Sequence, residues 1–90
     1  MHDWTLKTVT VDWSAGSVTI ELQTAGMPKV LRAYEVAELR VPRRQAWGPS
    51  VSVNECDGPT AHDGLSRVSI EMQTGDVIEL IAARFDMPIN

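Results

Sequence analysis

The stretch Val18-Thr19-Ile20-Glu21-Leu22-Gln23-Thr24 recurs fifty residues later as Val68-Ser69-Ile70-Glu71-Met72-Gln73-Thr74, identical at five of seven positions and conservatively changed at the other two. Both copies run into a glycine-bearing turn, at Ala25-Gly26 and at Gly75-Asp76. Each alternates strictly, Val, Ile and Leu or Met on one side and Thr or Ser, Glu and Gln on the other. A period of two describes a strand with one buried and one wet face. The chain therefore reads as two related hairpins, at about 17–34 and 67–83, with connecting material.

The apolar sets of the second hairpin, Val68, Ile70, Met72 and Ile78, Leu80, Ala82, must meet on one face. Directly opposed residues share a face, so only an odd-length loop brings them together, and three residues around Gly75 satisfy that condition. Upstream, Trp4 and Leu6 share one parity while Val9, Val11 and Trp13 share the other. One strand puts both sets on one face only if a bulge near Lys7-Thr8 resets the register. Ser14-Ala15-Gly16 then forms a tight turn, with Asp12 accepting from its backbone amides.

Strand two spans Ser17 to Thr24. Gly26-Met27-Pro28 reads as the next turn, followed by a strand from Lys29 to Tyr34. Glu35 to Leu39 fits one helical turn or an irregular step; no cap precedes it and Pro42 ends it, which favours a short strand through Leu39-Arg40-Val41. Ser50 to Glu55 alternates again. Asp57-Gly58-Pro59-Thr60-Ala61-His62-Asp63-Gly64, with two glycines and a proline, reads as a loop. Beyond Ala83, Phe85, Met87 and Ile89 alternate, so the last strand continues or bends there. The sum is a single all-β domain, 1–90, of seven to eight short antiparallel strands with an internal hairpin repeat, packed as a β-sandwich or a flattened barrel.

Composition narrows the function classes. A chain of 90 residues buries roughly 60–65% of its unfolded surface, enough for one modest core. The net charge of −4 argues against nucleic acid and anionic membrane as partners, since both select a concentrated basic surface. Cys56 is the only cysteine, so no internal disulfide forms, and no stretch reads as a signal peptide or an apolar span. The expected compartment is the cytoplasm.

Arg43-Arg44-Gln45-Ala46-Trp47-Gly48-Pro49-Ser50, with Arg40 before it, combines guanidinium forks for carboxylate or phosphate with an indole for stacking. Arg40, Arg43, Arg44, Gln45 and Trp47 are thus the candidate ligand-binding set, for a carbohydrate or small anion. The alternative folds Trp47 over the end of the core and pairs the arginines with carboxylates. His62, near Glu55, Cys56, Asp57 and Asp63, falls short of a zinc or calcium ligand set and reads as a solvated loop, so no metal and no cofactor is expected. Cys56 reads as a small half-buried residue. Glu21 and Glu71 match across the repeat, but each sits on a polar strand face, which accounts for them without acid–base chemistry. Trp4, Trp13, Tyr34 and Phe85 are expected to pack in the core. No glycine-rich phosphate loop, nucleophile elbow or zincin motif occurs.

Leu39-Arg40-Val41-Pro42-Arg43-Arg44, Trp47 through Asn54 and the Glu-Met-Gln-Thr-Gly-Asp turn at 71–76 together resemble a group of small, uncharacterised bacterial all-β proteins. The resemblance covers most of the chain, implies a bacterial source, and carries over no functional residue. The expectation from all of this is a non-enzymatic module that binds a protein partner or itself as a homodimer. A carbohydrate- or anion-binding domain using loop 42–50 is the alternative, and an enzyme the distant one.

Overall fold

A computed structural model describes residues 1–44 and 52–88. It contains six strands: β1 (Thr5–Asp12), β2 (Ser17–Thr24), β3 (Met27–Arg40), β4 (Val53–His62), β5 (Leu65–Met72) and β6 (Val77–Asp86). They form one open sheet in the order β1-β2-β3-β6-β5-β4, every neighbouring pair antiparallel. Among the described residues there is no helix, and so none long and apolar enough to cross a membrane. Two three-strand meanders thus meet along β3 and β6. The quoted stretches occupy β2 and β5, the middle strand of each meander.

The alternating pattern translates directly into the core. Val18, Ile20 and Leu22 of β2 and Val68, Ile70 and Met72 of β5 are all buried, together with Leu31, Ala33, Ile78, Leu80, Ala82, Val53, Leu6 and Trp4. Each large aliphatic side chain so buried contributes about 1.5–3 kcal/mol of transfer free energy. Across β5 and β6, Val68 opposes Leu80 and Ile70 opposes Ile78. The connection is the expected three residues, Gln73-Thr74-Gly75: Met72 N donates to Asp76 O at 2.8 Å and Gly75 N to Met72 O at 2.8 Å. Gly75 takes φ +96°, the left-handed position such a loop requires.

The bulge in β1 also lies where parity demands it, between Leu6 and Thr8. Leu6 and Val9 both reach the core in consequence. Asp12 Oδ1 accepts from Ala15 N at 3.1 Å, holding the β1–β2 turn as anticipated.

Several expectations are corrected. The strands number six because segments read as separate are continuous. β3 begins at Met27 after a two-residue turn, Ala25-Gly26, whose residues take φ +49° and +75°; Pro28 lies inside the strand rather than in the turn. It then runs through Glu35 to Arg40 instead of stopping at Tyr34. Two irregularities make that length compatible with a curved core: Glu35 at φ +52° and a register shift between Val36 and Glu38. They turn Val36 and Leu39 toward the core and leave Glu35 outside.

The expected loop from Asp57 to Gly64 is mostly strand. β4 pairs with β5 through His62↔Leu65, and only Asp63-Gly64 turn. Gly58 and Pro59 fall in a bulge between Asp57 and Thr60, where a missing N–H and an unusual φ disturb no ladder bond.

Although the strand order is open, its two edges approach at one end. Asp3 N donates to Val53 O and Val53 N to Trp4 O, each at 2.8 Å, and Thr5 bridges to Ser52. Gln73 Nε2 donates to Asp3 Oδ1 at 2.7 Å, and His2 Nδ1 lies 2.8 Å from Asn54 O. Trp4 is buried beneath this stitch, with Lys29 Nζ 5.8 Å from its ring centroid.

Candidate functional site

The arginine loop is divided by the structure. Arg40 closes β3 and Arg44 follows Pro42; together with Gly75, Asp76, Val77 and Glu79 they line an open cleft of about 250 Å³. Arg43 belongs to the same run but not to the cleft lining. Gln45 and Trp47 lie outside the described residues. The cleft is not simply cationic. Arg40 opposes Glu79 in the β3–β6 ladder, Arg67 Nε reaches Glu79 Oε2 at 3.5 Å, and Asp76 is buried. A bound anion there would have to displace or tolerate two resident carboxylates, which weakens its attraction.

The remaining sequence candidates do not converge. Cys56 opposes Ile70 and His62 opposes Leu65, so the two lie about 16 Å apart along the sheet, five residues of β5 at roughly 3.3 Å each. Burial pushes the Cys56 thiol up from its ordinary value, keeping it protonated. His62 Nε2 instead approaches Asp63 Oδ2 at 3.9 Å. Among the described residues no group of three His, Cys, Asp or Glu is placed to hold a metal ion. Glu21 and Glu71 sit on strands separated by β3 and β6, and Glu71 accepts a 2.6 Å hydrogen bond from Asn54 Nδ2.

The aromatics divide as well. Trp4 is core, and Phe85 packs against the core half-buried. Tyr34 lies on the outer face, donating to Asp86 Oδ2 at 2.8 Å beneath the Arg84 guanidinium, which stacks 4.1 Å from its ring. Trp13, expected inside, is 90% exposed. Its position explains why: the last β1–β2 pair is Asp12↔Ser17, and Gly16, which donates to Trp13 O across the turn at 3.2 Å, has no side chain to cover it.

Trp13 marks a site that sequence reasoning missed. With Val11, which is 50% exposed, it overhangs an open groove of about 370 Å³. Val18, Val36, Ala37 and Leu39 supply an apolar floor, and Asp12 and Glu38 stand at the rim. Val11 opposes buried Val18, so this is the core face itself, continuing past the last fully covered layer. Val36 N donates to Gly16 O at 2.8 Å and ties the bent part of β3 to the β1–β2 turn. The groove lies toward the end of β1 opposite the Asp3–Val53 stitch. The sequence did contain a signal: Val9, Val11 and Trp13 share one parity up to the hairpin tip, and the residue across that tip, Gly16, offers no side chain.

No family model matches the chain, and neither curated proteins nor solved structures give a significant match.

Proposed function

We propose that the protein is a non-enzymatic protein-interaction module, working through β1 and the Trp13 groove. The observation that carries this reading is an indole 90% exposed beside a half-exposed valine on the same apolar surface. Isolated surface hydrophobics are ordinary, but a large aromatic next to a contiguous apolar floor marks an interaction site. Trp is also the residue type most enriched among binding hot spots. In this reading the two meanders are copies of one unit. The curled sheet is a barrel left unclosed at the Trp13 end.

A photo-crosslinking residue at Val11, in cells that make the protein, tests it. A discrete protein adduct is expected from position 11 and none from Arg32, which is exposed on β3 away from the groove. Equal labelling from both positions, or none from Val11, defeats the proposal.

A carbohydrate or small-anion site formed by Arg40, Arg43, Arg44, Gln45 and Trp47 is the second reading. The convergence of Arg40 and Arg44 on one cleft favours it, and the carboxylates of Asp76 and Glu79 weigh against it.

A further inference from the structure

The groove continues sideways into an edge strand. From Thr8↔Glu21 to Asp12↔Ser17, β1 keeps one unbroken register with β2. Among the described residues nothing pairs with its other side beyond the Thr5–Ser52 bridge. Every second residue of that run aims its N–H and C=O outward. The run is Thr8-Val9-Thr10-Val11, β-prone and uncharged, without proline or bulge. Such an edge templates another strand.

Side chains of an added strand would stand about 5 Å from β1. Those on the core side would lie beside Val9 and Val11 and reach the groove under Trp13. At the rim, neither Asp12 nor Glu38 has a cationic partner among the described residues. The chain as a whole is at −4. A second copy would bring the same carboxylates to the same rim, whereas a basic segment would neutralise them.

We infer that β1 accepts an extended segment of a partner protein as an additional antiparallel strand. That segment places an apolar side chain in the groove beneath Trp13 and Lys or Arg beside Asp12 and Glu38. Main-chain hydrogen bonds supply the attachment, the groove selects the apolar anchor, and the rim selects charge. The inference rests on the interaction-module reading and specifies its partner.

The probe is a set of capped nonapeptides alternating Thr with one apolar residue (Val, Leu, Phe or Trp) and carrying Lys at both flanks. Matched sets carry Glu or Ser in place of Lys, or N-methyl groups on alternate amides. Binding is read by hydrogen exchange at the Thr8–Asp12 amides and by titration calorimetry. At least one Lys-flanked peptide is expected to protect those amides. Its N-methylated form is expected not to protect them, and its Glu-flanked form to bind about tenfold weaker.

The double variant Asp12→Asn/Glu38→Gln, in which Asn keeps the acceptor for Ala15, should lower affinity for the Lys-flanked peptide about fivefold and leave the Ser-flanked one unchanged. A thermal melt confirms that it folds. Equal affinity for Lys- and Glu-flanked peptides overturns the inference, as does binding that survives N-methylation. If no peptide protects β1 but light scattering shows a dimer whose β1 amides are protected, the partner is a second copy. The inference then falls while the module reading survives. If β1 stays unprotected in both settings and Val11 gives no crosslink, both fall.

Discussion

The two edges of the sheet are built to different specifications. β4 carries exposed Glu55 and Asp57, then a bulge at Gly58-Pro59 that breaks its outline in mid-strand. Charge, bulge and proline are the three usual means of preventing a foreign strand from pairing, and β4 uses all of them. β1 has a bulge too, but at its beginning, between Leu6 and Thr8. Everything after it is regular, uncharged up to Asp12, and ends in an exposed indole. β1 thus carries its guards, the bulge and Lys7, only at its beginning, and leaves Thr8 to Val11 without one.

The largest expected effect comes from breaking the protected edge. Gly58 has φ +104°, and a Cβ there would collide with the Arg67 carbonyl oxygen and stand 3.3 Å from Thr60 N and Val68 Cα. Gly58→Ala should cost at least about 3 kcal/mol in urea unfolding, backbone strain and collision adding. The matching change at the other edge, Gly16→Ala, meets no atom within 4 Å and pays for φ +68° alone, about 1 kcal/mol. Equal losses at the two sites would erase the distinction between a locked bulge and an open turn.

A smaller effect concerns Cys56, half-buried on β4. Because burial raises its pKa in the folded chain, the unfolded chain ionises first as pH rises. Its contribution to stability is therefore complete below the ordinary thiol value of 9.0 and declines above it. Iodoacetamide at pH 8 should label the native thiol about tenfold more slowly than the urea-unfolded one. Similar rates would mean that the thiol is not sheltered by β4 packing.

The smallest effect is the most diagnostic for β1. Val11→Lys should change unfolding free energy by no more than about 0.5 kcal/mol, the usual range for an exposed position. A loss of 2 kcal/mol or more, on the scale of a core cavity, would recast the groove as part of the core.

Parity made much of this fold legible in advance. Val68, Ile70 and Met72 can face Ile78, Leu80 and Ala82 only across an odd loop, and Leu6 can join Val9 only through a bulge; neither depends on anything distant. Local composition did not decide local structure where distant pairing competed with it. Gly58-Pro59 in a polar segment signals a loop, yet pairing with β5 overrides it. Glu35 carries no mark of its left-handed turn, because the curvature it serves is set by β2 on one side and β6 on the other. Aromatics tend to be buried, but Trp13 lies past the last hairpin pair, where nothing among the described residues covers its ring. Arg40 and Arg44 are close in sequence and line one cleft, but the carboxylates facing them come from the distant β5–β6 turn and β6.

The seam between β3 and β6 has a consequence in time rather than in space. Within each meander, strands pair across turns of a few residues, closures that cost little chain entropy. The seam joins Arg40 to Glu79 and Arg32 to Asp86, partners roughly half the chain apart. Each meander can assemble from neighbours in sequence, but β3 and β6 are outer strands of their meanders until the seam forms. They are also the strands that complete the buried layer of Leu31, Ala33, Leu80 and Ala82. Contact order therefore predicts that the seam closes after the hairpins, and until it does each half exposes a second pairing edge that the finished sheet conceals.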